Sequence, residues 1–371
     1  MFPPPRDRMK RRRNFRHSKA MIALCAVLVM ALCLGVYLIF FAGGSGEVKA
    51  RQLRFSASNM YCTTDSSIYF IQDAQLTCID YADNEKWKTE LLAANMKVTA
   101  SSTLVAAYDN TKVQMFTYNG EPLSSKEFYG TVSQVRCGKT FTAVLNTDYE
   151  NSNRVIVLDN TGKEVARYDF AGKYILDFGF YTDDSLYIYT LDGGSVVPVS
   201  RVMTYSDSLA NTGNLAIESQ LLQHLLFLKD SLYAVGTNQI IEMDYIGTRK
   251  NEKLIYGWEY ADAVTGKDNA PTILMVPGGE SSGQKMIPTA RILVLGKSDV
   301  FAQMPSATIS VSLGTDKLYA YTANMIRTVS LSGETLSERT LPFEATGFVP
   351  LSTKKHALAF AGDTVYMINL P

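Results

Sequence analysis

Few residues in this 371-residue chain are of a type that does chemistry, and their spacing is poor for it. His17, His224 and His356 are the only histidines. They stand far apart, whereas a zinc site draws several His or Cys ligands from short spacings. Of five cysteines, Cys25 and Cys33 fall inside a long apolar stretch, leaving Cys62, Cys78 and Cys137. An oxidising compartment would permit one disulfide among the three; free buried thiols are the simpler reading. Asp183-Asp184 and Asp207 supply carboxylates, but acid–base work needs two acids at a defined separation. Adjacent aspartates before a strand read as a solvated turn. The run Pro277-Gly278-Gly279-Glu280-Ser281-Ser282-Gly283 looks like a phosphate cradle, yet no helix and no Lys-[ST] follow it. It reads as an exposed loop. There is no G-x-S-x-G elbow and no P-loop. The sequence therefore indicates no catalytic residue, no metal site and no cofactor.

The elements around these residues are better defined. Ala20 to Ala42 holds 23 residues without a charge. As a helix it would reach about 34 Å, against a hydrocarbon core of roughly 30 Å. A cleaved signal has an apolar core of only about 7–15 residues, so the stretch reads as a signal-anchor spanning the bilayer. Ahead of it, residues 1–19 carry eight basic groups, among them Lys10, Arg11, Arg12, Arg13, Arg16 and Lys19, and one acid. Such a flank stays in the cytoplasm and orients the span, placing residues 43–371 outside. Without the tail the chain carries about seven net negative charges, which argues against nucleic acid as partner. Residues 43–50, beginning Gly43-Gly44-Ser45-Gly46, read as a flexible linker.

From residue 51 onward the pattern is strand and turn, and it repeats. One strand begins with an apolar residue and Tyr after a polar turn: Ile68-Tyr69, Leu186-Tyr187, Leu232-Tyr233, Leu318-Tyr319. The next runs through Leu76–Asp80, Val113–Thr117, Val155–Asp159, Val196–Ser200, Ile240–Asp244, Ile292–Gly296, Ile326–Ser330 and Val365–Asn369. Turns such as Asn160-Thr161-Gly162-Lys163 and Leu331-Ser332-Gly333-Glu334 follow, then a third strand such as Lys86-Trp87-Lys88. The spacing of these units averages about 41 residues, within the ~40–45-residue period of propeller blades. The fold class expected is an all-β propeller over residues 51–371, with eight blades, or seven as the alternative. The last unit, Thr353–Pro371, shows two strands, and Arg51–Phe55 is a strand without a unit. A blade built from both chain ends would close the ring. Two stretches depart from the repeat, Asp207–Ser219 and Gly278–Ile287, and read as long loops. Gln220–Leu228 reads as a short helix or a buried strand, and His356 as the start of an inner strand, a partly buried structural residue in the simpler reading and a channel-facing one in the sharper.

The units resemble the quinoprotein-type, WD40-like propeller repeats, with Ser67–Leu91 the best match. The chain as a whole is similar to single-span β-propeller-like proteins of clostridial-type bacteria. The resemblance implies a fold and an envelope location. It does not imply quinone chemistry, because quinoprotein dehydrogenases are much longer, bind calcium and use a vicinal cysteine pair that this chain lacks.

The function expected is a non-catalytic binding or scaffold module, anchored in the cytoplasmic membrane through residues 20–42, with a protein or cell-wall polymer as partner. An envelope hydrolase or lyase with carboxylates at the channel mouth, and an extracytoplasmic sensor, are the alternatives. An apolar or Tyr-rich patch on one face would favour a protein partner, and a funnel of clustered acids and aromatics the enzyme.

Overall fold

The computed structural model describes residues 45–148, 152–194, 196–266, 270–279 and 286–371, together with Met30. The tail 1–19, and the expected span 20–42 apart from Met30, lie outside the described residues. Among the described residues no helix is long and apolar enough to cross a membrane.

Eight antiparallel sheets follow one another around a ring. Blade one covers residues 60–90, two 97–127, three 131–170, four 174–218, five 222–254, six 258–303 and seven 310–340. Blade eight joins the chain ends. Its inner three strands are Gly347–Pro350, His356–Ala361 and Thr364–Asn369, and its outer strand comes from the start of the described chain. There β1 (Ser45–Glu47) lies parallel to Thr335–Thr340 as a fifth strand on blade seven, and β2 (Ala50–Ser56) pairs antiparallel with Thr364–Asn369. The first strands of neighbouring blades touch one another and surround the axis. This is the eight-blade ring, closed by both termini, that the repeat predicts.

Burial explains why the repeat is visible. Middle strands are covered on both faces by neighbouring blades: every residue of Leu104–Tyr108 and of Leu232–Gly236 is buried. Outer strands alternate, as in Glu164–Phe170 and Arg249–Leu254. Eight apolar clusters sit one in each gap between blades. The closing gap is filled as well as the others, with Ile68 and Phe70 of blade one against Phe55, Leu358 and Val365 of blade eight.

The turn into the outermost strand recurs with its chemistry. Asp159 Oδ1 accepts the N–H groups of Thr161 (2.9 Å) and Lys163 (3.0 Å). Asp244 Oδ1 accepts those of Ile246 (3.1 Å) and Thr248 (2.8 Å), and Asp80 Oδ1 those of Ala82 (2.8 Å) and Asn84 (2.9 Å). The carboxylate replaces a backbone acceptor in a tight turn, and the residue three places on takes positive φ. In blade two that residue is Gly120 (φ +85°), and a Cβ there would lie 2.5 Å from the ring of Trp87. Trp87 Nε1 donates to the Tyr118 carbonyl at 2.8 Å, so the tryptophan of blade one docks on the turn of blade two.

Several boundaries differ from the sequence reading. Asp207–Ser219 is not a loop: it contains Asn211–Glu218, the outer strand of blade four, paired with Val199–Tyr205. Only Leu215 and Ile217 are buried in it, because an outermost strand has just one face to cover. Val196–Ser200 is mostly turn, and its strand begins at Val199, past Pro198, which has no N–H to give a ladder. The strand placed at Ile292–Gly296 runs over Thr289–Leu293. Gln220–Leu228 resolves into the strand Leu222–Phe227. Blade eight has a strand, Gly347–Pro350, that the sequence did not suggest. The linker expected over 43–50 is described from residue 45, and there it is β1 and the start of β2.

Candidate functional site

Strands A to D are named from the axis outward. Because neighbours are antiparallel, the A–B and C–D turns share one face of the ring, here the turn face. The B–C turns and the links between blades share the other, the connector face.

The axis of blades three to six carries a polar chain. Arg136 is on the A strand Thr131–Cys137, Asp177 on Tyr174–Phe180, His224 on Leu222–Phe227, and Tyr260 and Asp262 on Trp258–Thr265. Lys354, in the A–B turn of blade eight, places Nζ 2.7 and 2.9 Å from the two carboxylate oxygens of Asp262. That contact skips blade seven, so it crosses next to the axis. Asp262 Oδ2 also accepts the Leu313 N–H of blade seven at 2.8 Å. Tyr187 donates to Asp177 Oδ2 at 2.7 Å, and Arg136 lies 4.0 Å from Asp177 Oδ1. His224 stacks on Tyr260, centroids 4.1 Å apart and planes 12° apart, and Gln223 Oε1 accepts the Tyr260 N–H at 2.8 Å.

Electrostatics keep this chain quiet. Burial pushes the His224 imidazolium down, against an opposing pull from Asp177 and Asp262, so His224 is neutral at pH 7. Burial raises the Tyr187 and Tyr260 phenols. Both oxygens of Asp262 are occupied by donors, which makes it a strut between blades six, seven and eight.

Around this axis the connector face exposes large apolar side chains. Tyr129 (77% exposed) precedes the A strand of blade three, Tyr174 and Leu176 open that of blade four, Leu221 precedes that of blade five, and Tyr256 (66% exposed) that of blade six. A cavity of about 250 Å³ opens among Leu176, Asp177, Leu221 and His224. On the turn face the large exposed apolar residues in the turns, among the described residues, are Tyr118 and Ile246, while Val165, Phe301 and Leu336 stand at the starts of outer strands on the rim. The asymmetry matters, because scattered exposed apolar residues are ordinary while a contiguous patch marks an interaction site.

The residues singled out from sequence have other positions. His224 is in the polar chain. His356 is not at the channel mouth: it lies between blades eight and one, its ring edge-on to Tyr81 at 5.3 Å, in a groove shared with Lys49, Arg51 and Asn369 at the outer side of blade eight. Asp184 is a buried staple, accepting the Thr140 N–H (2.8 Å), the Thr140 hydroxyl (2.7 Å) and the Phe141 N–H (3.3 Å) from blade three. Asp183 pairs with Lys139 at 2.8 Å, and Asp207 accepts the Ser185 hydroxyl. Asp183 and Asp184 join blades three and four, while Asp207 ties two turns within blade four. Cys62, Cys78 and Cys137 are free thiols. Burial raises all three, Cys137 to about 12, so none is a thiolate at neutral pH. Residues 280–285 of the expected loop Gly278–Ile287, and Lys10, Arg11, Arg12, Arg13, Arg16 and Lys19, lie outside the described residues. Asp177, Asp262 and Lys354 were missed. The available signal was a carboxylate interrupting an apolar strand, in Tyr174–Phe180 and again in Trp258–Thr265.

No protein-family model and no curated protein matches the chain. Solved structures do. BamB from Moraxella catarrhalis is 11% identical with a TM-score of 0.56, over 87% of this chain and 97% of that one. The Dos1 propeller is 9% identical (TM-score 0.57, 87% and 94%), and the WD40 domain of SCAP from fission yeast is 7% identical (0.58, 87% and 98%). The chain shares the propeller fold with them. At such identity the likeness is one of fold alone, and function has to be argued from sites.

Proposed function

We propose that this chain is a membrane-anchored, extracytoplasmic propeller that acts as a non-catalytic protein-binding scaffold of the cell envelope. Its docking surface is the connector face of blades three to six. The observation that carries this reading is the ring of Tyr129, Tyr174, Leu176, Leu221 and Tyr256 on one face of a closed scaffold. Tyrosine supplies large contact area with a polar tip, which suits a partner that comes and goes. The partner is a polypeptide, since the ring is apolar and broad, with only a small cavity at its centre.

The anchor adds an orientation. Ala42, the last residue of the uncharged span, is three peptide steps from Ser45, a reach of at most about 11 Å. Ser45 pairs with Glu338 on the outer edge of blade seven. An anchor so attached holds the rim of blade seven near the bilayer and leaves both faces open sideways. In an eight-membered ring blade three is opposite blade seven, so the docking arc points away from the lipid. Replacing Tyr129 and Tyr256 together with Ala tests the reading. Both side chains are largely exposed, so the melting temperature should stay within a degree or two of the parent. The partner recovered with the intact protein from membranes should be lost. A double variant that recovers it undiminished would refute the assignment of this face.

A further inference from the structure

A second site lies on the opposite face. Between blades one and two, with one residue from blade eight, a groove of about 770 Å³ opens at the turn face. That volume is within the ~300–1,000 Å³ of small-ligand sites. Its walls are of two kinds. Trp87 and the half-exposed Tyr118 give an aromatic side. Thr63, Ser66, Ser101, Ser102 and Asn119 give a wall of hydroxyls and one amide. One acid and one base complete it, and both are tethered: Asp65 Oδ1 accepts the Ser352 hydroxyl at 2.6 Å, and Lys86 Nζ donates to Ser67 Oγ at 2.8 Å and the Ser66 carbonyl at 3.2 Å. The side chains of Thr63, Ser102 and Asn119 make no hydrogen bond with any described residue, so their donors and acceptors are open to a ligand.

We infer that this groove binds a neutral oligosaccharide. A sugar ring has a C–H face that lies on an aromatic face, whose negative quadrupole attracts it. Its edge is a row of hydroxyls, each able to donate once and accept twice, matching a wall of Ser, Thr and Asn. An anion would need more than the single, already engaged Lys86, and a cation would need more than Asp65. The gap between blades four and five shows that the feature is local. There Tyr181, Phe227 and Tyr245 line a cavity of about 480 Å³, with Tyr181 stacked on Phe227 at 4.6 Å. Of its serine and threonine hydroxyls, those of Ser185, Ser206 and Thr212 are already bonded to Asp207, Ser208 and Thr204, leaving Thr182, and it has no amide side chain.

The chain has two tryptophans, Trp87 and Trp258. Trp258→Phe therefore leaves Trp87 in the groove as the sole reporter. The full chain, in nanodiscs rather than a sugar detergent, is titrated with chitotriose, cellotriose, maltotriose and mannotriose, and separately with inorganic phosphate. The expected result is a saturable change in Trp87 emission with at least one trisaccharide at millimolar or lower concentration. Tyr118→Ala and Asn119→Ala should each weaken it by about two- to tenfold, the range of one stacking or hydrogen-bond contact. Both variants spare the fold, because Trp87 bonds the backbone carbonyl of Tyr118 and the Asn119 side chain bonds no described residue. No response to any of the four sugars, a response to phosphate alone, or a sugar response unchanged in both variants would overturn the inference. Each outcome is independent of the protein-docking face.

Discussion

The contact between Lys354 and Asp262 can be tested quantitatively, because it is a strut across the axis. Lys354→Met removes two charge-assisted bonds and leaves a carboxylate with two neutral donors, the Leu313 N–H on Oδ2 and the Ala263 N–H on Oδ1. The two side chains are 20% and 16% exposed, so the loss lies below the ~3–5 kcal/mol of a fully buried pair and well above the ~0–1 kcal/mol of a surface pair. About 2–3 kcal/mol is expected. Unfolding entropy is roughly 2.1 cal/mol/K per residue. Over a ring of about 320 residues that gives roughly 0.7 kcal/mol/K, so the melting temperature should fall by about 3–5 °C. Asp262→Ala should cost more, because it also strands the Leu313 amide. The double variant should recover part of the sum, with a coupling of about 1.5–3 kcal/mol. Calorimetry of the parent, both single variants and the double variant reads all four values. A Lys354→Met variant that melts with the parent, or strictly additive effects, would show that the two residues do not brace the ring.

Three further outcomes follow from the same geometry. Asp159, held below its ordinary value by the Thr161 hydroxyl, and Asp244, held down by the Thr248 N–H, are more acidic folded than unfolded. Their contribution is complete above the unfolded value of about 3.9 and is lost as pH falls through the lower folded values. Thermal melts should therefore show an acid-labile component setting in below about pH 4, and Asp244→Asn should shrink it; an unchanged acid limb would contradict the role given to these turns. Gly120→Ala places a Cβ against Trp87 in a backbone of positive φ and should destabilise by about 2–4 kcal/mol, combining overpacking and αL strain, with a shift in Trp87 emission. Deleting Thr364–Pro371 strips β2 and His356–Ala361 of their shared partner strand; loss of the cooperative melt is expected, and a parental melt would show that the ring does not depend on that closure.

The repeat was legible because a blade's middle strands are buried on both faces and read as apolar runs. Val155–Leu158 and Ile240–Ile241 need no alternation to be recognised. The Asp or Ser that opens the outer turn of blades three, five and seven, with Gly162, Gly247 and Gly333 three places on, marked the period a second time. Outer strands were harder. Asn211–Glu218 buries only Leu215 and Ile217, so its polar residues imitate a loop, and β1 is Ser-Gly-Glu, which imitates a linker. Neither has a sequence pattern of its own, since the neighbouring strand supplies the ladder. The polar chain at the axis was invisible for a different reason. Arg136, Asp177, His224 and Asp262 are about forty residues apart in sequence, and only ring closure assembles them. The exposed tyrosines were equally silent, because a Tyr at a strand start has no mark that tells rim from core.

The most direct test of the account is a photo-crosslinking scan in intact cells. A benzophenone side chain is placed in turn at Tyr129, Tyr174 and Tyr256 on the connector face, at Ile246 on the turn face and at Leu336 on the rim of blade seven. A discrete protein adduct is expected from the first three, none from Ile246, and lipid adducts from Leu336. Protein adducts of equal yield at Ile246, or none at the three tyrosine positions, would contradict it.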